Sequence, residues 1–218
     1  MTISTNGKRI FIARHGETVF NAVGRMQGMD AHTPLTREGC EQAVRMGEAL
    51  RGHVADSAHA KDGLQLLASP SGRTLQTLAL VAAEIGANWH DHETDVRLRE
   101  IDVGEWEGQY YADLFPDLHD LMDMEHKLFK QYAVQGEDYV AVAARLRAWL
   151  ADQAFERDML IISHGMTARV LRGILLGLPD LAGYGAPIAS SLSQGSMVAI
   201  CDGAEQLIHS GDGSGEKA

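Results

Sequence analysis

Four short apolar runs recur along the chain, at residues 10–13, 64–68, 159–162 and 197–201. Each has the length and the aliphatic content of a buried strand. Their apolarity is nearly continuous rather than alternating, as a parallel strand covered on both faces requires. Helical patterns lie between them. Residues 36–50 open on Thr36, an N-cap type of residue, and put Ala43, Met46, Gly47 and Leu50 on one face. Residues 73–85 bring Leu75, Leu78 and Ala82 together and stop before Gly86. Asp138 can cap a helix that carries Val142, Leu146, Trp149 and Leu150, and residues 168–176 end at Gly177 with Pro179 beyond.

Strand and helix therefore alternate from end to end. That order predicts an α/β fold, a three-layer α/β/α sandwich around a mostly parallel sheet. No repeat and no Gly/Ser/Pro-rich linker divides the chain, so residues 1–209 read as a single domain. Residues 210–218, polar and glycine-rich, read as a flexible tail. Residues 104–135 break the alternation; acidic and rich in Met, they read as one or two helices laid over the sheet edge.

Composition narrows the function classes. With 218 residues, 45% hydrophobic and 22% charged, the chain can build a full core without a disulfide or metal staple, and disorder is excluded for its bulk. Lys and Arg number 19 against 30 Asp and Glu, a net charge of −11. That balance argues against a nucleic-acid binder and against a basic membrane-surface protein. It also weighs mildly against an anionic substrate. Cys40 and Cys201 form no disulfide framework and match no metal or redox spacing. The opening MTISTNGKR has no apolar signal region, and no run approaches the ~20 apolar residues of a membrane span. A cytoplasmic location without membrane attachment is the expectation.

Three of the apolar runs end in chemistry of one kind. The first leads into Arg14-His15-Gly16-Glu17-Thr18, the second into Ser69-Pro70-Ser71-Gly72-Arg73, the third into Ser163-His164-Gly165. In a parallel sheet the carboxyl ends of the strands share one edge, where ligands sit. Two His and two Arg would meet there, with Gly16 and Gly165 letting backbone approach a ligand. Guanidinium forks and backbone amides suit a phosphate group, and an imidazole nitrogen beside them can attack phosphorus. One such strand end is weak evidence, since a histidine there is more often an ordinary turn residue; three in one chain reverse that balance.

The ordered set Arg14-His15-Gly16-Glu17-Thr18, Asn21, Arg25, Gln27-Gly28, then Pro34-Leu35-Thr36, Gly39 and Gln42-Ala43, resembles the phosphoglycerate mutase-like branch of the histidine phosphatase superfamily. The likeness continues through Ser69-Pro70, Arg73-Thr74 and Thr77, Leu98, Glu100, Gly104 and Trp106-Glu107-Gly108. It closes with Gly136-Glu137, Ser163-His164-Gly165 and Leu176-Gly177-Leu178-Pro179, spanning residues 9–209. The resemblance implies that His15 takes the phosphoryl group and that Glu100 protonates the leaving alcohol, then activates water. It implies Arg14, Arg73 and His164 on the phosphoryl oxygens, and Asn21, Arg25, Gln27, Gly28, Gly165 and Met166 as substrate contacts. Positioned acid catalysis of this kind is worth about 10²–10⁴ in rate, and fixed cations suit the charge of a phosphoryl transition state. No metal or other cofactor is implied; a homodimer is an expectation from the resemblance alone.

Two departures from the family pattern, Gln194-Gly195-Ser196 and the lengthened loop over residues 28–34, are expected to lie clear of the catalytic set. True mutases of the family carry a long basic insertion between the acid and the second histidine. Here residues 101–163, only 63, separate Glu100 from His164. Within 100–144 the only cations are Lys127 and Lys130, against Asp113, Asp117, Asp120, Asp123 and Glu125. A cover so acidic favours hydrolysis of a small phosphorylated metabolite over a mutase acting on a bisphosphorylated carboxylate. A non-catalytic phosphate-binding protein would be marked by loss of His15 or Glu100, and both are present.

Other sites are weaker. His90-Asp91-His92 reads as solvated edge residues on a strand rather than a metal pair. His119, Asp123 and His126 read as a polar helix face rather than a zinc site. No Cys-x₅-Arg loop and no Gly-x₄-Gly-Lys-[Ser/Thr] loop occurs. Trp106, Tyr110, Tyr111 and Phe115 follow the acid; core packing is their default role, with some at the substrate mouth.

Overall fold

The computed structural model describes residues 2–54 and 63–213. In chain order its elements are β1 (Ile10–Arg14), the single turn α1 (Val19–Ala22), α2 (Arg37–Val54), β2 (Gln65–Ala68), α3 (Gly72–Ile85) and β3 (Glu93–Thr94). Then come the single turns α4 (Tyr111–Leu114) and α5 (Leu118–Leu121), β4 (Met122–Asp123), β5 (Leu128–Phe129) and α6 (Tyr139–Ala151). β6 (Met159–Ser163), α7 (Gly165–Leu175), β7 (Met197–Cys201) and β8 (Ala204–His209) complete the order. The main sheet runs β3-β2-β6-β1-β7-β8. The first four strands are parallel, β7 is antiparallel to β1, and β8 is antiparallel to β7.

The apolar runs feed two cores at once. Ile10 and Ile12 of β1 and Met159 and Ile161 of β6 pack with α6 and α7. Phe11, Ala13, Leu160 and Ile162 pack with α2 and α3 on the other face. Successive strand side chains point to opposite faces, so a strand buried on both must be apolar throughout. The helix ends follow local chemistry. Thr36 Oγ1 accepts from Gly39 N at 3.0 Å to start α2. Asp138 accepts from Ala141 N at 2.7 Å to start α6, and Gly86 ends α3 in the left-handed conformation.

Several expectations are corrected. Residues 104–135 hold two single-turn helices and the small β4–β5 hairpin rather than one or two full helices. Their acids and turn-forming residues cap and fold locally, as Asp117 does onto His119 N and Asp123 onto Glu125 N. His119, Asp123 and His126 therefore share no helix face; Asp123 instead accepts from His126 Nδ1 and from Tyr184. Residues 89–91 form a 3₁₀ turn, not a strand, with His92 stacked on Trp89. α7 begins at Gly165, three residues before the expected start. Residues 210–213 are tied back, Gly211 N donating to Ser196 Oγ and Asp212 pairing with Arg45; residues 214–218 lie outside the described residues. β3 and β8, both at the edges of the sheet, carry too little apolar content to register as runs. No helix among the described residues is long and apolar enough to cross a membrane.

Candidate active site

The register of the parallel strands sets the site. Arg14 pairs with Ser163 across β1 and β6, and Ala68 pairs with Ile162 across β2 and β6. The next residues, His15, His164 and Ser69, consequently leave the sheet at one level. Backbone bonds continue the ladder there, from His15 N to Ser163 O at 3.1 Å and from Ser69 N to Ile162 O at 3.2 Å. A cavity of about 210 Å³ opens above this edge, lined by Arg14, His15, Arg73, Glu100 and Gly165 among others.

His15 is 3% exposed. Its Nδ1 lies 2.7 Å from the carbonyl oxygen of Gly16. A carbonyl only accepts, so Nδ1 carries the proton and Nε2 keeps its lone pair. Burial, then the charges of Arg73 and Arg14, hold the His15 pKa well below the ordinary histidine value and keep the ring neutral. Gly16 lets α2 come this close, because a Cβ there would overlap Gly39, and one on Gly39 would overlap the Glu17 carbonyl.

Arg14 donates through Nη1 to Leu192 O at 2.8 Å, while its Nε is buried with no partner in the described protein. A buried unpaired donor costs about 1–3 kcal/mol, which an anion in the cavity would offset. Arg73, 1% exposed, spends its guanidinium on Asp30 O, Gly28 O and His164 Nδ1, at 2.6, 2.8 and 3.3 Å. It thereby holds the loop over residues 28–30 against the strand ends. Both departures from the family pattern were expected to lie clear of the catalytic set, and the structure corrects this. Gly28 and Asp30 carbonyls accept from Arg73, and Arg14 makes backbone bonds with Gly195 and Ser196.

His164 is wholly buried and does not line the cavity. Its Nδ1 accepts from Arg73, so Nε2–H donates to Ser69 Oγ at 2.8 Å; its ring lies edge-on, 5.3 Å from His15. Burial first, then Arg73, keeps its pKa well below the ordinary value. The structure thus sets His164 one layer behind the pocket, supporting Arg73 and His15.

Glu100 reaches the cavity from the loop after Leu98. Its Oε1 accepts from Thr167 N and Ile101 N at 3.0 and 2.9 Å, and its Oε2 only from Met166 N at 3.1 Å. The N-terminus of α7 thus orients the carboxylate. The loop is pinned from behind by residues outside the expected set. Arg145 donates to the carbonyls of Arg97 and Glu100 and pairs with Glu137, whose other side accepts from Asp102 N. Thr167 Oγ1 donates to Arg99 O at 2.6 Å.

Asn21, Arg25, Gln27, Gly28 and Met166 also line the cavity. Arg25 lies against the rings of Phe20 and Tyr110, 4.4 and 5.2 Å from their centroids. Asn21 completes a capping box with Thr18, and Gln27 accepts from Thr18 Oγ1. Of the aromatic group, Tyr111 lines the cavity; burial, then the Glu100 charge, pushes its phenol up to about 12, so it stays an O–H donor. Two cations had not been singled out as site residues, Lys127 and Arg169. The signal for Arg169 was a basic residue one turn into a helix buried on every side after Ser163-His164-Gly165. The expected acidic cover is also corrected. The cavity takes Tyr111, Met122, Met124, Lys127 and Phe129 from that segment, and none of its acids.

The sequence pattern of the histidine phosphatase superfamily (branch 1) matches residues 10–199. The chain belongs to that superfamily. A probable phosphoglycerate mutase GpmB of Yersinia pestis (strain Pestoides F) is 31% identical over 183 residues, covering 78% of this chain and 76% of that protein. Among solved structures, a mycobacterial glucosyl-3-phosphoglycerate phosphatase superposes with a TM-score of 0.68 at 26% identity, covering 95% of this chain and all of the other. A putative alpha-ribazole-5'-P phosphatase from Escherichia coli superposes with a TM-score of 0.66 at 25% identity, over 93% and 95% of the two chains.

Proposed function

We propose that this chain is a phosphomonoester hydrolase acting on a small phosphorylated metabolite through a phosphohistidine, with residues 1–209 as its one catalytic domain. His15 carries the reading: a buried neutral imidazole whose tautomer leaves Nε2 as the lone pair, beside Arg14 and Arg73. In the first step Nε2 attacks phosphorus and the ester P–O bond breaks. The departing alkoxide takes a proton from the carboxyl form of Glu100. In the second, the Glu100 carboxylate removes a proton from water, the water oxygen attacks phosphorus, and the N–P bond breaks to release phosphate. Oε2, which accepts only one hydrogen bond, is the oxygen free to exchange that proton. Arg14, whose Nε lacks a partner, takes a phosphoryl oxygen, with Asn21, Arg25 and Gln27 as further donors. Arg73 contributes its positive field and, with His164 behind it, holds the loop over residues 28–30 in register.

The relatives named as a mutase and as phosphatases support two reactions on one site. The short stretch of 63 residues between Glu100 and His164, without a long basic insertion, favours hydrolysis. Release of phosphate from p-nitrophenyl phosphate by the wild type, absent from His15→Ala, is the expected result; wild-type activity no higher than that variant's overturns the hydrolase reading. Conversion of 3-phosphoglycerate to 2-phosphoglycerate with a bisphosphate primer, faster than hydrolysis, would select the mutase instead.

A further inference from the structure

The cavity lining combines two kinds of chemistry. His15, Arg14 and Glu100 make one. Met26, Val103, Met122, Met124, Phe129 and Met166 make the other, with Arg25, Lys127 and Arg169 also in the lining. Glu100 is the only carboxylate among the described lining residues, and the amide oxygens of Asn21 and Gln27 are turned onto Thr18. A hydroxyl pressed against these apolar side chains would lose water and gain no partner from them, which selects against polyols. Thioethers, by contrast, are polarizable and adaptable and make favourable contacts with the edges of aromatic rings.

This apolar lining is also built rather than incidental. Met124 is 47% exposed, so core burial does not explain its position at the rim. The hairpin that presents it is clamped by Arg169, itself 6% exposed, which donates to the carbonyls of His126 and Lys127 at 2.8 Å each. At about 210 Å³ the cavity is smaller than the ~300–1,000 Å³ usual for drug-sized ligands. Beyond a phosphoryl group it has room for one ring rather than several.

Resting on the hydrolase reading above, we infer that the substrate is the phosphomonoester of an alcohol bearing a single aromatic ring, seated against the methionine side chains, rather than that of a polyol. Two measurements on the full chain test this. The first compares kcat/KM for 2-phenylethyl phosphate with that for glycerol 3-phosphate and glucose 6-phosphate, all esters of ordinary alcohols, so that leaving-group reactivity does not set the order. The second measures calorimetric Kd for the uncleavable 3-phenylpropylphosphonate and 3,4-dihydroxybutylphosphonate, which needs no turnover.

The aromatic ligand is expected to be favoured about tenfold or more in both. Met124→Gln, at a half-exposed position, is expected to shrink that preference by roughly threefold. Equal or reversed preference in the wild type overturns the inference, as does a preference that Met124→Gln leaves unmoved. Aromatic-selective binding without turnover of any ester would remove the hydrolase reading alone. Turnover that favours the polyol esters would remove this inference alone.

Discussion

The strand-end pocket and the cover over residues 104–135 are built in opposite ways. In the pocket the polar groups that hold the geometry are tied to main chain or to another buried side chain. His15 is fixed by Gly16 O, His164 by Arg73 and Ser69, and Glu100 by three backbone N–H groups. The cover has single-turn helices and two-residue strands, held by turn-type side-chain bonds and the Arg169 clamp. The pocket can thus present one invariable charge pattern to a phosphoryl group, while the cover presents shape. On the function proposed above, chemistry resides in the first region and selectivity in the second.

Substitutions can break this division, beginning with the largest effect. His15→Ala removes the proposed nucleophile, and steady-state assays should show phosphatase activity reduced by about 10³-fold or more. Glu100→Gln keeps the shape and loses the transferable proton, so kcat should fall by about 10²–10⁴ for alkyl esters. Its loss should be smaller for p-nitrophenyl phosphate, whose leaving group needs less protonation. If both esters suffered equally, the acid role would be lost.

Gly39→Ala tests the seating of the pocket on α2. A methyl group there would overlap the Glu17 carbonyl, so urea unfolding should show a loss of about 1–3 kcal/mol, together with lowered activity. The buried histidines set a pH dependence. Both His15 and His164 are held neutral, with pKa values well below the ordinary 6.5. As pH falls below 6.5 the unfolded chain binds protons that the folded chain does not. Stability is therefore full above that pH and declines below it, with a slope approaching ~1.4 kcal/mol per pH unit for each histidine. Unfolding measured from pH 7.5 to 5.5 should show the decline, and His164→Gln should reduce its slope. In the cover, Met124→Ala should change stability by no more than about 0.5 kcal/mol, because the side chain is half exposed. A larger loss would make Met124 part of the core rather than a selective contact.

Much of this contrast was legible before any coordinates. The four apolar runs became the four inner strands β1, β2, β6 and β7, because burial on both faces leaves no room for polar alternation. Thr36, Asp138, Gly86 and Gly177 marked helix ends by local chemistry that holds in any context. The cover was misread for the complementary reason. Its short polar segments are satisfied within a few residues, so neither helical nor strand periodicity develops. Counting its acids then gave a repulsive wall, although none of those acids lines the cavity, while Met122, Met124, Lys127 and Phe129 do.

The order of residues along the chain by itself determined the layered α/β architecture, the inner strands, and the gathering of Arg14, His15, Arg73, His164 and Gly165 at one sheet edge. Parallel strands must end on the same side, so three polar strand ends have one place to go. Only the tertiary structure decided which of those groups touch the cavity and in what state. It put His164 behind Arg73, left Arg14 Nε without a partner, gave His15 its tautomer, and brought Arg145 and Arg169 in from distant helices. Those outcomes depend on burial and on hydrogen bonds between residues far apart in sequence, and neither is written in local pattern. The −11 net charge is likewise a sum, while the field at phosphorus is set by the few charges that packing brings near it.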